Sequence, residues 1–153
     1  MTPSRSRVVF FSPYYYLDGT ALITNNRDIE NINNLRFGKI AVLNYSNTIG
    51  VIRYYLPHAE LIAVDSYLEA FYALESGIVD AFAGDYSLLT GWRQEFPQYH
   101  VLSSILSGEA IAVAMPKGLQ YLELHQEVTS AIARWHENGW LQERINYWGL
   151  NQI

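Results

Sequence analysis

Asp85 holds the position in this chain that is best suited to chemistry. It follows an apolar run of strand type, Ile78 to Ala83, that stops at Gly84, and it precedes a second apolar run, Tyr86 to Trp92, that suits a helix. A carboxylate at the carboxyl end of a buried strand stands where open α/β sheets bind their ligands. The same position is that of a helix N-cap, a role aspartate fills well, and the two roles are compatible. A second candidate is Asn44-Tyr45-Ser46-Asn47-Thr48, between a predicted strand, Ile40 to Leu43, and a predicted helix with Ile52, Tyr55 and Leu56 on one face. A strand feeding a helix start is a ready anion site, because free backbone N–H groups and the helix dipole point at the ligand.

Other chemistries find little support in these residues. There is no cysteine, which excludes disulfides, thiol nucleophiles and thiolate metal sites. Asp80 lies at the opposite end of the strand that leads to Asp85, so the two carboxylates are not placed to share a proton. His58, His100, His125 and His136 have no motif around them, and neither a metal, a cofactor nor a catalytic residue is expected. The net charge of −5 and the lack of a Lys/Arg cluster argue against a nucleic-acid surface. No apolar run approaches the ~18 residues of a membrane span, and the Thr2 to Arg7 beginning lacks the apolar stretch of a secretory signal.

The elements that must position these residues are legible in outline. Ser66 followed by Glu69 is a capping box, and Tyr67, Ala70, Phe71 and Leu74 recur at helical spacing until Gly77. The segments 40–43, 48–56, 60–64, 66–76, 78–83 and 85–94 alternate as βαβαβα, which predicts a mostly parallel sheet with helices on both faces. Val8 to Phe11 and Thr20 to Thr24 read as short strands flanking an irregular aromatic segment, and Asn25 to Phe37 as a crossing loop with a turn of helix near Ile29 to Asn34. Residues 99–102 suit an edge strand. Val128, Ala131, Ile132 and Trp135 form the stripe of a helix stopped by Asn138-Gly139, and Leu141, Ile145 and Trp148 mark a last one.

Several of these pieces, in this order, resemble the family 3 extracellular solute-binding proteins, the receptors of polar amino acid ABC transporters. The resemblance rests on Thr2-x-x-Arg5 leading to Phe11-Ser12-x-x-Tyr15-Tyr16-x-x-Gly19, and on Ser76-Gly77-x-Val79-Asp80-Ala81-Phe82-x-x-Asp85. It extends through Ser104 to Met115 and the closing Trp135-x-x-x-Gly139-x-Leu141-x-x-Arg144-x-x-x-Trp148-Gly149-Leu150. It implies a type II periplasmic-binding-protein-like α/β fold, with an amino acid held between two lobes and an ABC permease in the membrane as partner. In that setting Arg5 would clamp the ligand's α-carboxylate, Ser46 and Asn47, with Thr48 beside them, would assist from the helix start, and Asp85 would take the ammonium. A planar guanidinium suits the carboxylate because it donates two parallel charge-assisted hydrogen bonds. Tyr15 and Tyr45 would line the pocket; Tyr45 stands where the family has glycine and forbids the closest backbone approach.

The resemblance covers only the later part of such a receptor. It divides the chain into residues 1–24, a remnant of lobe one with the first crossing; 25–107, a complete lobe two; and 108–153, the second crossing with the closing helices of lobe one. Strand 8–11 and those helices would then lack their usual neighbours, which predicts an unpaired edge, an exposed apolar face and a homo-oligomer formed through the incomplete lobe. The expected function is the substrate-binding component of an amino acid transporter, periplasmic by family expectation and not an enzyme. The alternatives are an oligomeric interaction or ligand-sensing module that has lost tight binding and, third, an enzyme on the same fold.

Overall fold

The computed structural model describes residues 1–151. In chain order the strands are β1 (Val9–Phe11), β2 (Tyr16–Asp18), β3 (Thr20–Thr24), β4 (Lys39–Leu43), β5 (Glu60–Val64), β6 (Ala81–Asp85), β7 (His100–Val101), β8 (Glu109–Ile111) and β9 (Ala114–Pro116). The α-helices are α1 (Thr48–Tyr55), α2 (Tyr67–Glu75), α3 (Tyr86–Glu95), α4 (Leu122–Glu137) and α5 (Trp140–Tyr147). The chain divides into two units, one made of residues 1–18 with 109–151 and the other of residues 19–108.

The 19–108 unit is built on a five-stranded sheet of order β5-β4-β6-β3-β7. β4 pairs in parallel with both β5 and β6, while β3 runs antiparallel to β6 and β7. Side chains alternate across the sheet as the two-residue period requires. Ala21, Ile23, Ala41 and Phe82 face α2 and α3, packing on Ala70, Ala73, Leu74, Tyr86 and Leu89. Leu22, Ile40, Val42, Ala81 and Ala83 face the other way, onto Ile52 and Leu56 and onto Ile29 and Leu35 of the preceding loop. Helices therefore cover both faces, as the alternating pattern requires.

The structure differs from the sequence reading in three places. Thr20–Thr24, grouped with the lobe-one remnant on sequence, is an inner strand of the five-stranded sheet; all five of its residues are buried, between β6 and β7 at its edges and by the clusters packed on both faces. This makes the sheet mixed. β6 starts at Ala81 rather than Ile78, because Gly77 turns left-handed (φ 72°) and the N–H groups of Ile78 and Val79 both fold back onto the Ala73 carbonyl, at 2.9 and 3.3 Å. The segment after Ser12-Pro13 contains β2, whose side chains alone do not announce a strand; its partner β8 supplies the pairing.

The capping box is realised in altered form. Ser66 Oγ accepts from the Glu69 N–H at 3.1 Å, and the Glu69 carboxylate accepts from the N–H of Asp65 at 2.7 Å, one residue before the expected N-cap amide.

The other unit is thinner. β1 pairs with β9 and β2 with β8, each as a two-stranded antiparallel ribbon, and α4 and α5 follow, separated by Gly139 at φ 78°. His125 ties α4 to this unit by stacking on Phe10 at 4.0 Å and by a 2.7 Å hydrogen bond to the Pro116 carbonyl. Among the described residues, no helix is long and apolar enough to cross a membrane.

Candidate functional site at the carboxyl edge of the sheet

Asp85 is the last residue of β6 and stands at the N-cap position of α3, with extended backbone (φ −69°, ψ 134°). Its side chain makes no capping hydrogen bond, and the residue is exposed. The first helical amide is satisfied elsewhere: Tyr86 N–H donates to the Gly19 carbonyl at 2.7 Å. Burial pushes the Tyr67 phenol up from its ordinary pKa, and the nearby Asp85 carboxylate pushes it further.

The turn from β4 into α1 lies at the same edge. A 3.3 Å bond from Ser46 N–H to the Leu43 carbonyl closes it, and Tyr45 occupies the left-handed region at φ 61° with its side chain fully in solvent. The backbone therefore takes the conformation that favours glycine, and the tyrosine ring is turned outward rather than packed into the turn. Asn47 precedes α1 but has helical angles (φ −64°, ψ −22°) and no capping hydrogen bond. A capping side chain needs extended backbone at that residue, so the N-terminus of α1 is left without a side-chain cap. Ser46 Oγ is buried there with no hydrogen-bond partner among the described residues, and Thr48 is buried in the first turn.

Strand register brings these two features together. β4 and β6 are adjacent and parallel, with Val42 opposite Ala83, so the turn that begins at Asn44 stands beside Asp85. Neighbouring strands are ~4.8 Å apart. One edge therefore presents a carboxylate next to an uncapped helix start that carries an unpartnered hydroxyl. On the other side of Asp85, Thr20 is its direct cross-strand neighbour, fully buried, with its Oγ1 unpartnered among the described residues. Tyr67 and Thr20 were not singled out in the sequence: Tyr67 reads there as one more apolar position of α2, and Thr20 as a strand residue.

Arg5 and Tyr15 belong to the other unit. Arg5 opens a short 3-10 turn, Arg5–Arg7, and is exposed; its N–H donates to Thr2 Oγ1 at 3.4 Å. Tyr15 is half-buried, and its N–H donates to the Ile111 carbonyl at 2.9 Å. Its neighbours in the aromatic segment have structural duties: the Ser12 hydroxyl accepts from Val113 N–H at 3.0 Å, and the Tyr16 hydroxyl donates to the Leu150 carbonyl at 3.1 Å.

The remaining titratable candidates are occupied locally. Asp80 works at the amino edge of the sheet, where its carboxylate accepts from Lys39 N–H at 2.8 Å and its N–H donates to the Lys39 carbonyl at 2.7 Å. His100 bonds to the Ile29 carbonyl at 2.7 Å, His136 to the Tyr14 carbonyl at 3.1 Å, and His58 stacks on Phe37. Among the described residues no group of three or more His, Asp or Glu is arranged to hold a metal. A surface groove of about 370 Å³ runs between α2 and α3, lined by Tyr67, Leu68, Phe71, Leu88, Trp92, Glu95 and Phe96. With one carboxylate and no cation it offers no match to a zwitterion.

Known proteins share this architecture. No family model matches the sequence. The glutamine-binding protein GlnH of a Bacillus subtilis ABC transporter is 28% identical over 150 residues, an alignment that takes in 97% of this chain and 54% of that protein. An ancestral cationic amino acid solute-binding protein superposes with a TM-score of 0.80 at 23% identity, over 97% of this chain and 65% of its own. The chain is similar to the amino acid-binding proteins of ABC transporters. The amino acid-binding protein AbpA of Streptococcus pneumoniae, solved with L-arginine, superposes with a TM-score of 0.75 at 25% identity and is covered over 64% of its length. The solute-binding fold is accordingly present in part: the chain spans about half of the curated relative and about two thirds of the solved structures. It carries the type II periplasmic-binding architecture as one complete α/β lobe and a portion of a second.

Proposed function

We propose that this chain binds the zwitterionic head of an amino acid in the periplasm and serves as the substrate-binding component of an ABC transporter, handing its ligand to a permease in the membrane. The observation that carries this reading is the pairing at the carboxyl edge of the sheet. Asp85 offers a carboxylate for the ammonium, and the uncapped start of α1, with the Ser46 hydroxyl and the Asn47 and Thr48 side chains, offers donors for the carboxylate. Arg5 is proposed as a second carboxylate ligand and Tyr15 as a wall of the pocket. Tyr45, turned to solvent at its root in the turn, leaves the backbone there open to the ligand. Glutamine and arginine, named for the relatives, are the first amino acids to try.

Calorimetric titration of the purified chain with single amino acids tests this. Saturable heat that is abolished in Asp85→Ala and weakened at least tenfold in Arg5→Ala supports the assignment. Absence of heat from all the common amino acids at millimolar concentration overturns it. A second reading, an interaction module that no longer binds tightly, draws on the exposed apolar surface of the unit formed by residues 1–18 and 109–151.

A further inference from the structure

The groove between α2 and α3 is built by helical spacing on both of its walls. Tyr67, Leu68 and Phe71 come from the first turns of α2, and Leu88, Trp92 and Glu95, at i, i+4 and i+7, from one face of α3. Phe96 follows at the helix end. The rings pack on one another: the Phe71 centroid lies 6.0 Å from that of Trp92 and 5.0 Å from that of Phe96. They rest in turn on the core, because Trp92 meets the buried rings of Phe82 at 5.6 Å and Tyr99 at 5.5 Å. A floor held in this way is formed before any ligand arrives, as small-molecule sites usually are. Its volume of about 370 Å³ lies within the ~300–1,000 Å³ of such sites. The α3 wall from Leu88 to Glu95 is about 10 Å long at ~1.5 Å per residue. Those dimensions suit one or two rings and fall short of the broad face that a protein partner covers.

The charge of the groove has one sign. Glu95 is the only charged residue of the lining, and among the described residues its carboxylate has no ion-pair or hydrogen-bond partner. Arg93, two positions back, falls on another side of the helix. Glu95 is also the last residue of α3, where the helix dipole already places negative potential, so the two add. The Tyr67 phenol, on the opposite wall, feels the Asp85 carboxylate as well. An aromatic floor is thus joined to a negative potential, with no basic side chain in the lining to offset it.

We propose that this groove is a binding site for a small organic amine, a ligand with an aromatic body, an ammonium group and no acid. The body displaces water from the faces of Phe71, Trp92 and Phe96, and the ammonium pairs with Glu95. Trp92 stands three residues before Glu95 and so on the same side of α3, which puts an ammonium seated on the carboxylate within reach of an indole face. Charge then decides between ligands of one shape. An anion is repelled by Glu95, and a zwitterion brings a carboxylate that no lining residue can receive. A neutral analogue keeps the apolar contact and loses the ion pair. This inference is independent of whether Asp85 binds an amino acid.

Phenethylamine is the probe. The four tryptophans give four indole N–H signals by NMR, and the one missing from Trp92→Phe reports on the groove. Titrating the amine into the full chain should shift that signal saturably, and leave in place the signals of Trp135, Trp140 and Trp148, which belong to the other unit. Phenethyl alcohol should bind more weakly, and phenylacetate and phenylalanine should not move the signal in the same range. Glu95→Gln should weaken the amine at least threefold, the scale of one exposed ion pair, and leave the alcohol unaltered. Leu68→Arg, which sets a cation on an exposed rim position, should abolish amine binding. Circular dichroism of each variant confirms that the fold is kept. A Trp92 signal unmoved by millimolar amine overturns the inference, and so does equal affinity for phenethylamine and phenylacetate. Amine binding that Glu95→Gln leaves unaltered also overturns it, whether or not Asp85→Ala removes that binding.

Discussion

The Asp85 carboxylate acts electrostatically on the Tyr67 phenol: burial raises the ionisation of that phenol above its ordinary 10.0, and the negative charge of Asp85 raises it further. Asp85→Asn removes the second cause and keeps the first. The Tyr67 titration, followed by NMR of 13C-labelled tyrosine, should therefore move to lower pH and stay above 10.0. An ammonium group seated on Asp85 acts in the same direction, so a bound amino acid should also lower it. An unmoved Tyr67 resonance in both experiments would separate the two residues and remove Tyr67 from the site.

Tyr45 holds a left-handed φ of 61° with nothing packed on its ring. That conformation costs an L-residue about 1–2 kcal/mol, against an entropic penalty of about 0.5–1 kcal/mol for glycine. Tyr45→Gly is expected to raise stability by up to about 1 kcal/mol, read as a higher urea midpoint with an unchanged slope. A lower midpoint would show that the ring contributes packing after all.

Tyr99 is buried, and its hydroxyl donates to the Glu75 carboxylate at 2.5 Å, joining β7's approach to the end of α2. Burial first, and Glu75 second, push its ionisation well above 10.0. A phenol whose folded pKa is raised stabilises the fold fully below the unfolded value and loses that contribution as pH climbs beyond it. Stability should hold to about pH 10 and fall above it. Tyr99→Phe should cost about 1–2 kcal/mol at neutral pH and flatten that alkaline decline; denaturation at pH 8 and pH 11 measures both.

Gly19 is fixed by close approach. A Cβ there would collide with the Ser107 carbonyl oxygen and lie 2.6 Å from Ile105 Cγ2, while the Gly19 carbonyl accepts from Tyr86. Gly19→Ala should destabilise by about 1–3 kcal/mol through overpacking against backbone that has no room to yield. A thermal midpoint within a degree of the parent would contradict this packing.

Much of the complete lobe is readable from the sequence. Glu60–Val64 and Thr20–Thr24 have their observed limits in the apolar runs themselves, and Ser66, Gly77 and Gly139 mark helix ends through side-chain capping or left-handed backbone. The candidate site is half legible. The type and position of Asp85 and of the 44–48 turn can be read, because each follows a local strand-to-helix transition. Tyr67 is not legible as a site residue, since at helical spacing a tyrosine looks like any other apolar residue of α2.

What the sequence determined by itself is therefore local: which stretches extend, which coil, where each stops, and the order of pieces that aligns this chain with amino acid-binding proteins. These features depend on residues two to four positions apart, whose interactions form in any context. Tertiary structure alone decided the rest. Pairing between strands sixty residues apart set β3 antiparallel to β6 and put Thr20 beside Asp85. The parallel register of β4 and β6 brought the α1 start to the same edge. Long-range packing also left the Trp140–Trp148 strip facing outward, although at helical spacing those rings read as core. A period shows that residues share a face; only the neighbours available to that face decide whether it is buried.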